Sequence, residues 1–395
     1  MKLLSVREIP VEGARVLIRA DLNVPVSEER EIEDDHRIKQ FLPTLKFVLE
    51  KNGKAVVMSH FGRPGGEPNS AFSLDVVGKR LSELLGKEVF FCEEILSKET
   101  VERTKALNPG EVILLENLRF YKGETNNDPE FAKALSELGD VYINDAFAVS
   151  HRSHASVVGV PAYFSKEKRG IGLLMEKELE YYEKSLIKPK RPLCVILGGK
   201  KVSTKLQALL SLSDKADKII IGGAMANTFL AAQGLQMGTS FYEPQLIPTV
   251  LDLIGKIARR EKKLYLPVDL IVAPSIKSKG LGRAVPTLEV PADTAAFDIG
   301  PATAILYKEA VQNAETIVWN GPMGVFEAED FAKGTLELTE ALAASHALVT
   351  AGGGDTVSAI NKMKLAHKFD YISTGGGAFL HLLEGKTLPA IEALK

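Results

Sequence analysis

The chain has 395 residues, enough for two or three domains at about 150 residues each. It carries 49 basic and 51 acidic residues, and this balance argues against a general nucleic-acid binder. Its two cysteines, Cys92 and Cys194, exclude a disulfide framework and a cysteine-rich zinc site and are typical of a reducing compartment. The apolar part of the N-terminal sequence is too short for a signal peptide, so we expect a cytoplasmic protein.

The segment 219–242 contains no charged residue, but four glycines and several amide side chains interrupt it. A membrane-spanning helix needs about 20 predominantly apolar residues. A buried strand followed by a buried helix fits this pattern better, so we expect no membrane association.

Short apolar runs recur along the chain, and most are followed by a helical pattern. They occupy residues 15–19, 54–59, 111–116, 141–144, 193–197, 218–221, 316–320, 347–350 and 370–374. Strands of four to six residues that alternate with longer helices indicate βαβ units, and therefore an α/β protein with parallel sheets.

The residues that follow these runs differ between the two halves of the chain. In the first half they are arginine, histidine, aspartate and asparagine, whereas in the second half they are mainly glycines. Eleven of the fifteen arginines precede residue 186. Ligands of open α/β sheets bind beyond the carboxyl ends of the strands. The pattern therefore predicts two domains with different anion sites, one of guanidinium groups and one of backbone N–H groups.

The segment from Ile171 to Arg191 is the predicted connection between the two domains. Its apolar residues fit one face of a helix, and Pro189 and Pro192 prevent that helix from continuing. We expect the main domain boundary within this segment.

Arg19, Asp21 and Asn23 alternate just after the first apolar run, so they can point to one side of the chain. An arginine fork recognises carboxylate or phosphate, and Asp and Asn can bind hydroxyl groups. A salt bridge with an Asx turn is the structural alternative. His60 and Arg63 follow the second run, where the alternative to an anion site is a surface loop.

Arg119 follows the third run and belongs either to an anion site or to an internal polar network. Arg152 lies between His151 and His154, and we favour anion binding over a metal site there because the arginine repels cations. Arg37 lies at a predicted helix start, where a surface role is the leading interpretation. If the sheet is parallel, these groups converge, which predicts a small, highly anionic ligand with phosphate and carboxylate groups.

Residues 347–360 are predicted to form a strand, a glycine loop and a helix. Glycine lets backbone N–H groups approach phosphate, and the helix N-terminus adds partial positive charge. Asp355 is either a ligand of Mg²⁺ bound to phosphate or an N-cap, and the two roles are compatible. Lys201 and Lys205 are four residues apart at another predicted helix start, so we expect them to share a face and neutralise a polyphosphate.

Three common site motifs are missing. Gly385-Lys386-Thr387 resembles the end of a P-loop, but Leu380 occupies the position of its first glycine. No dinucleotide-binding fingerprint is present, which disfavours a dehydrogenase, and no H-E-x-x-H metal helix occurs. A nucleotide site in this chain must therefore be of another type.

Nine segments closely resemble the motifs of the phosphoglycerate kinase family, in the family's order along the whole chain. They are 19–25 (RADLNVP), 59–64 (SHFGRP), 115–120 (LENLRF), 144–147 (NDAF), 151–156 (HRSHAS), 197–202 (LGGKKV), 319–327 (WNGPMGVFE), 352–356 (GGGDT) and 373–378 (STGGGA).

The resemblance implies two doubly wound, Rossmann-like parallel-sheet domains joined by a helical hinge. It places an acidic-substrate domain at 1–170, the hinge at 171–192, a nucleotide domain at 193–375, and a return of 376–395 to the first domain. It also implies a glycolytic transferase that moves a phosphoryl group reversibly between 1,3-bisphosphoglycerate and ADP, giving 3-phosphoglycerate and ATP, with Mg²⁺. Because the acceptor is a carboxylate, domain closure and charge stabilisation suffice without a general base.

The same resemblance implies the role of each site residue. The groups for the acidic substrate are Asp21, Leu22, Asn23, Arg37, His60, Phe61, Gly62, Arg63, Arg119 and Arg152. The groups for the nucleotide are Lys201, Lys205, Gly222, Gly223, Asn320, Glu327, Gly353, Gly354, Asp355 and Thr356, with Asp355 as the metal ligand. The groups at the transferring phosphoryl are Arg37, Lys201, Gly353 and Gly354. Lys200 departs from the family's usual small residue, and we expect it to have a modest effect on nucleotide affinity.

A kinase for another small carboxylic acid is the main alternative, since any such enzyme needs an arginine clamp and a nucleotide site. A two-domain anion-binding protein without catalysis leaves Asp355 and the paired lysines unexplained. The expected partners are small molecules. We expect a monomer, because two domains that enclose their ligands need no partner chain.

Overall fold

The computed structural model describes residues 3–395, which form two compact units. The first unit contains the described residues up to Glu180 together with Thr387–Lys395, and the second is Tyr181–Lys386. The division falls inside the segment that the sequence marks as the connection. The functional roles of the two domains stay predictions.

The first unit is built on a six-stranded sheet in the order β3-β4-β2-β1-β5-β6, and every pairing in it is parallel. Its strands are β1 (Arg15–Ala20), β2 (Lys54–Met58), β3 (Phe90–Cys92), β4 (Val112–Leu115), β5 (Val141–Asp145) and β6 (Arg169–Ile171). Its helices are α1 (His36–Glu50), α2 (Asp75–Leu85), α3 (Lys98–Ala106), α4 (Lys122–Asn126), α5 (Pro129–Ser136) and α6 (Leu173–Tyr182).

Both faces of this sheet are covered, which explains why its strands are apolar throughout rather than alternating. Leu17 packs with Val56 and Tyr142 in a cluster on one face, whereas Val16 and Ile18 belong to the cluster on the other. All five side chains are at most 2% exposed. Burying one such aliphatic side chain stabilises the fold by about 1.5–3 kcal/mol, so the sheet is the energetic centre of the unit.

The second unit repeats this architecture with a parallel sheet in the order β15-β14-β13-β7-β8-β9. Its strands are β7 (Leu193–Leu197), β8 (Lys218–Ile221), β9 (Lys263–Tyr265), β10 (Asp269–Ala273), β11 (Arg283–Pro286), β12 (Ala295–Ile299), β13 (Thr316–Asn320), β14 (Leu348–Ala351) and β15 (Tyr371–Ile372). Its helices are α7 (Leu206–Lys215), α8 (Ala224–Ala232), α9 (Ile247–Arg259), α10 (Pro301–Gln312), α11 (Lys333–Ala343), α12 (Gly354–Lys362) and α13 (Gly376–Leu383).

Short turns of 3-10 or π-helix join these elements. In the first unit they are Val6–Glu8, Ser70–Phe72, Leu118–Phe120, Phe147–Val149, Ala155–Gly159, Val160–Tyr163 and Lys166–Lys168. In the second they are Glu183–Ile187, Pro244–Leu246, Thr287–Glu289, Glu329–Phe331 and Ala366–Lys368.

All nine apolar runs form strands, and the uncharged segment 219–242 contains β8 followed by α8, as the sequence predicts. None of the described helices is long and apolar enough to cross a bilayer. The antiparallel sheet in the order β11-β10-β12 was not predicted. Its strands are only partly buried, and four prolines lie between residues 266 and 292. The sequence of this region is therefore typical of a loop.

The return to the first unit begins at Thr387, later than the predicted 376. The reason is that α13 buries Ala378, Phe379, Leu382 and Leu383 within the second unit. Only the short helix α14 (Pro389–Leu394) packs in the first unit, where the Ala390 N–H donates to the Ser150 carbonyl.

The carboxyl of Asp145, at the end of β5, gives a test of this packing. Burial raises its pKa to about 7, against hydrogen bonds from Thr44 and the Met175 N–H that favour the ionised form. The unfolded chain ionises this group near pH 4, so the folded chain loses stability as pH rises from about 4 to 7. We expect Asp145→Asn to gain Tm relative to wild type as pH rises from 4.5 to 7.5.

Asp140 provides the control. Burial raises the pKa of the Asp140 carboxyl, but hydrogen bonds from Arg15 outweigh burial and lower it overall. The ionised carboxyl therefore contributes its full stabilisation above about pH 4. The Tm difference of Asp140→Asn should therefore stay constant across the same range. A Tm difference of Asp145→Asn that does not change with pH would contradict the buried, protonated carboxyl.

Candidate active site

Each parallel sheet has one position where the strand order changes direction. In the first unit it lies between β1 and β5, and in the second between β7 and β13. Ligands of open α/β sheets bind beyond the carboxyl ends of the strands at such a point, because loops from the two strands diverge there. The residues that follow these four strands therefore define a candidate site in each unit.

Hydrogen bonds of its polar side chains hold the segment after β1 against neighbouring elements. The Asp21 carboxylate accepts a hydrogen bond from Arg37 Nη1 at 3.0 Å and another from the Asn23 N–H at 3.2 Å. Asn23 Oδ1 accepts from the Gly62 N–H at 2.8 Å. Arg37 lies in the first turn of α1, and its side chain is 37% exposed. The leading interpretation of Arg37 as a surface residue therefore misses its ion pair with Asp21.

Residues 60–63 form the neighbouring turn after β2. Asn117 holds this turn, because it accepts from the Phe61 N–H at 3.1 Å and donates to the Phe61 carbonyl at 2.6 Å. The side chain of Phe61 is in the apolar core, as is that of Leu22, so both positions offer only backbone groups to a ligand. Arg63 is exposed.

Positive charge accumulates between the turn at residues 60–63 and the segments that follow β4 and β5. Arg119 donates to the Gly62 carbonyl at 2.7 Å, and burial together with Arg19 and Arg63 lowers its pKa to about 10. Burial, then Arg19, Arg119 and the exposed Arg152, lowers the pKa of His154 to about 4. The arginines predicted to converge therefore do lie near one another, and such a cluster favours a multiply charged anion.

Arg19 differs from the other arginines, since its side chain is fully buried at the end of β1. Its Nε donates to Ser156 Oγ at 2.8 Å, its Nη1 donates to the Ala20 carbonyl, and its Nη2 lies 3.2 Å from His60 Nδ1. Sequence position alone predicts Arg19 among the ligand-facing groups, but all three of its guanidinium nitrogens contact the protein and the side chain has no exposed surface.

Four polar residues of this region were given no role by the sequence. Ser59, Asn117 and Ser156 lie inside the family-like motifs, so the signal was present but carried no assignment. Ser59 Oγ accepts from the Leu22 N–H at 2.9 Å. Ser156 accepts a hydrogen bond from Arg19 and donates one to Glu124. Nothing in the sequence around Glu124 marks it as a buried carboxylate.

In the second unit the backbone segments that follow β7 and β13 are in close contact. A Cβ on Gly198 would lie 2.1 Å from the Pro322 carbonyl, so only glycine allows this approach. Lys205 joins the two strand ends, because its Nζ donates to the carbonyls of Gly198 at 2.7 Å and Asn320 at 2.8 Å. Burial lowers the pKa of Lys205 to about 8, although Asp355 opposes this shift.

The helix α8 begins directly after Gly222 and Gly223. Gly223 has φ +66° and ψ −173°, and a Cβ there would lie 2.5 Å from the Gly199 nitrogen. Its own N–H donates to the Met323 carbonyl, while the Met225 N–H donates to the Gly199 carbonyl. The glycines thus bring the N-terminus of α8 against the loop that follows β7.

The strand, glycine loop and helix predicted at 347–360 are present as β14, Gly352–Gly353 and α12. The N-cap position is Gly353, so the alternative role of Asp355 as N-cap is wrong. Asp355 is exposed in the first turn of α12, and its carboxylate makes no hydrogen bond within the described part of the chain. It is free to bind a ligand at the positive end of the helix.

The prediction that Lys201 and Lys205 share a helix face is wrong, because α7 begins at Leu206 and both lysines precede it. Lys205 turns inward to backbone carbonyls, whereas Lys201 is exposed. Lys200 is also exposed, and its Nζ lies 5.4 Å from the ring centroid of Phe241 in a cation–π contact.

Three further predicted residues lie around this glycine cluster. Asn320 Nδ2 donates to the Gly352 carbonyl at 2.8 Å, which links β13 to the loop after β14. The buried Thr356 hydroxyl accepts from the Gly321 N–H at 2.7 Å and keeps its own hydrogen for another acceptor. Glu327 is exposed beyond the buried Phe326.

One unit thus offers whole positive charges to a small anion, and the other offers the α12 N-terminus and lysine to phosphate groups, with a free carboxylate beside them that suits a cation. Such a pair of sites is the arrangement of a two-domain phosphotransferase.

Comparison with known proteins specifies the family. The model of the phosphoglycerate kinase family matches residues 6–386. A phosphoglycerate kinase from Desulfotalea psychrophila is 48% identical over 391 residues, with 99% of both chains covered. One from Geobacter metallireducens is 49% identical over 385 residues, 98% of this chain and 96% of that one.

Two solved structures have the same fold. Phosphoglycerate kinase from Coxiella burnetii matches with a TM-score of 0.92 at 41% identity, covering 100% of this chain and 99% of that one. The enzyme from Pyrococcus horikoshii matches with a TM-score of 0.81 at 33% identity, covering 99% of this chain and 98% of that one.

The chain therefore belongs to the phosphoglycerate kinase family. The predicted α/β fold and the predicted activity, that of a transferase acting as phosphoglycerate kinase, are confirmed. None of these relatives supports a kinase for another small carboxylic acid.

The glycine at the start of α8 provides a test of the second site. Gly223 has a backbone conformation essentially restricted to glycine, so Gly223→Ala should cost about 1–3 kcal/mol in strain, plus the clash with Gly199. We expect a lower Tm and weaker nucleotide binding, measured by thermal unfolding and calorimetric titration of the full chain.

Gly354 is the matched control for stability, because it also begins a helix but a Cβ there meets no atom within 4 Å. Gly354→Ala should leave the free energy of unfolding unchanged or raise it by up to about 1 kcal/mol. Equal destabilisation by the two substitutions would contradict the close approach at Gly223.

Proposed function

We propose that the first unit binds 3-phosphoglycerate and 1,3-bisphosphoglycerate, that the second binds ATP and ADP, and that the phosphoryl group passes between them with Mg²⁺. The observation that carries this assignment is the separation of chemistry between the units. The arginine and histidine cluster lies in the first, and the glycine-rich helix N-termini with Lys205 and Asp355 lie in the second.

The first unit suits a small ligand with a phosphate and a carboxylate. Arg63, Arg119 and Arg152 provide guanidinium donors for the phosphate, and His60 adds a neutral N–H donor. Asp21 and Asn23 provide acceptors for the substrate hydroxyl near its carboxylate. Leu22, Phe61 and Gly62 contribute backbone groups that the hydrogen bonds of Asn117 and Asn23 hold in place.

In the second unit the N–H groups at the start of α12 suit the phosphates of the nucleotide, since those near the start of α8 already donate to the Met323 and Gly199 carbonyls. Gly353, Gly354 and Thr356 face the phosphates, where the helix dipole favours negative charge. Gly222 and Gly223 form part of the base pocket, and Glu327 binds the ribose. Lys201, Lys205 and Asn320 complete the phosphate site.

The residues fit Mg²⁺, which takes one or two protein carboxylates and completes its shell with phosphate oxygens and water. Asp355 is the residue that would hold it, because its carboxylate is exposed and unpaired at the α12 N-terminus. No cluster of three or more His, Cys, Asp or Glu occurs among the residues that the structure describes, so the nucleotide phosphates must supply other ligands. When bound, the ion neutralises phosphate charge.

The transfer needs no general base, since the acceptor carboxylate is already ionised at pH 7. Catalysis is then positioning and charge stabilisation. Arg37, from the first unit, and Lys201, Gly353 and Gly354, from the second, stabilise the transferring phosphoryl group. Because these groups belong to different units, the units must close on both ligands, which also excludes water from the acyl phosphate.

We further propose a monomeric cytoplasmic enzyme. The two thiols of the chain, Cys92 and Cys194, are free and buried, as suits a reducing compartment. The two units of one chain together contain all the proposed ligand groups, so no second copy is required.

The reaction is tested by ADP formation from MgATP with and without 3-phosphoglycerate, with a coupled dehydrogenase that traps the acyl phosphate. We expect turnover only when both substrates and the metal are present, and loss of turnover on chelation. ATP binding without any turnover on 3-phosphoglycerate would make the first unit a site for a different acid.

The role of Arg37 gives a second test. Arg37→Ala should lower kcat by about a hundredfold or more while the KM for 3-phosphoglycerate changes much less, because the lost charge acts mainly in the transition state. Arg80 is a matched control, since it has the same 37% side-chain exposure and pairs with Asp35 rather than Asp21. Arg80→Ala should leave kcat unchanged. An unchanged kcat in Arg37→Ala would remove Arg37 from the transfer step.

A further inference from the structure

We infer that Arg19 is a positioning residue that holds His60 in its neutral Nε2–H tautomer, so that the imidazole faces its ligand as a hydrogen-bond donor. The inference deepens the proposed function, on which the identity of that ligand rests. It assigns a role to the one arginine of the cluster that the ligand cannot reach.

The geometry of the guanidinium allows one assignment. Arg19 Nη2 lies 3.2 Å from His60 Nδ1, and both side chains are almost fully buried. A guanidinium nitrogen only donates hydrogen bonds, so Nδ1 must accept and cannot carry a proton. A neutral imidazole has one N–H, which is then at Nε2.

A carboxylate competes for the same nitrogen. Asp21 Oδ1 lies 3.9 Å from His60 Nδ1, beyond hydrogen-bond distance, and its other oxygen already accepts from Arg37. If Asp21 decided the tautomer, Nδ1 would be protonated and Nε2 would be an acceptor. An acceptor at Nε2 would repel an anionic ligand, so the choice between Arg19 and Asp21 decides whether His60 binds or opposes it.

Arg19 itself is held rigidly from the opposite side. Its Nε donates to Ser156 Oγ, and Ser156 in turn donates from Oγ to Glu124 Oε1 at 2.7 Å and from its N–H to Oε2 at 2.9 Å. Glu124 is fully buried, so its charge compensates that of the buried guanidinium. Ser156 is therefore the bridge through which the carboxylate fixes the guanidinium.

The surrounding charges agree with a neutral imidazole. Burial, followed by Arg19, Arg119, Arg37 and His154, lowers the pKa of His60 well below its ordinary value. His60 can thus donate a hydrogen bond at neutral pH without adding a further charge to a crowded cationic cluster.

Nuclear magnetic resonance of the wild-type, full-length chain tests the tautomer directly. The side chains of ¹⁵N-histidine-labelled protein are recorded at pH 7 without ligand, and the His60 signals are assigned by their loss in His60→Asn. We expect the two-bond correlations of a neutral Nε2–H imidazole. Signals of the Nδ1–H tautomer or of an imidazolium would overturn the inference.

Ser156→Ala tests the role of Arg19, because it removes the bridge to Glu124 without touching His60. We expect His60 to show a mixture of tautomers and the KM for 3-phosphoglycerate to rise about three- to tenfold, the effect of one hydrogen bond, while kcat stays within about twofold. If Ser156→Ala does not fold, Glu124→Gln replaces it with the same expectation. A folded variant with the wild-type tautomer and KM would overturn the positioning role.

Ser150→Ala is the matched control, since Ser150 is equally buried in the same unit but its hydroxyl bonds the Ala146 carbonyl and contacts Met175. It should leave the His60 signals and the KM unchanged. The spectra need no substrate. Absence of turnover on 3-phosphoglycerate would therefore contradict the proposed function but leave the tautomer result intact. An Nδ1–H tautomer would contradict the positioning role of Arg19 but leave the proposed function intact.

Discussion

The parallel pairing of two strands at each change of strand direction, β1 with β5 and β7 with β13, is the constraint on which both sites depend. Parallel register puts the carboxyl ends of neighbouring strands at one edge, so the loops that leave them must separate there. Each sheet is apolar on both faces, and a one-residue shift of register would move the side chains of a strand from one packed cluster to the other. The positions of Arg19, Asn144, Gly198 and Gly321 at the strand ends follow from this packing.

In each unit a cationic side chain, Arg19 in the first and Lys205 in the second, stabilises that edge through hydrogen bonds to the protein. Arg19 donates to the carbonyl that ends β1 and to Ser156, and Lys205 donates to the carbonyls that follow β7 and end β13. Strand ends leave backbone carbonyls without a partner in the sheet, and burying such groups unpaired costs about as much as a lost hydrogen bond. A cationic side chain satisfies several of them at once, and it also sets the electrostatic potential that an incoming anion meets.

Strand positions and strand-end chemistry could be predicted from the sequence, because an apolar run followed at once by arginine or glycine has few structural interpretations. The direction in which each side chain points could not. Arg19 and Arg63 both lie where an apolar run ends, yet one is fully buried and the other is exposed. Lys205 precedes its helix by one residue, which reverses the expected direction of its side chain. Glu124 carries no local signal, since only tertiary packing makes it a buried partner of Ser156.

The contrast between the two sites follows from the charge of their proposed ligands. A small acid that carries a phosphate and a carboxylate brings no counterion, so the first unit must supply whole positive charges. Arginine keeps its charge even where burial lowers its pKa to about 10, as at Arg119. If the proposed nucleotide arrives with Mg²⁺, the partial charge of the α12 N-terminus suffices, and the Asp355 carboxylate is compatible with a phosphate site because it would meet the cation. The same electrostatics keep His60 and His154 neutral, because burial and the surrounding guanidinium groups lower the pKa of both imidazoles.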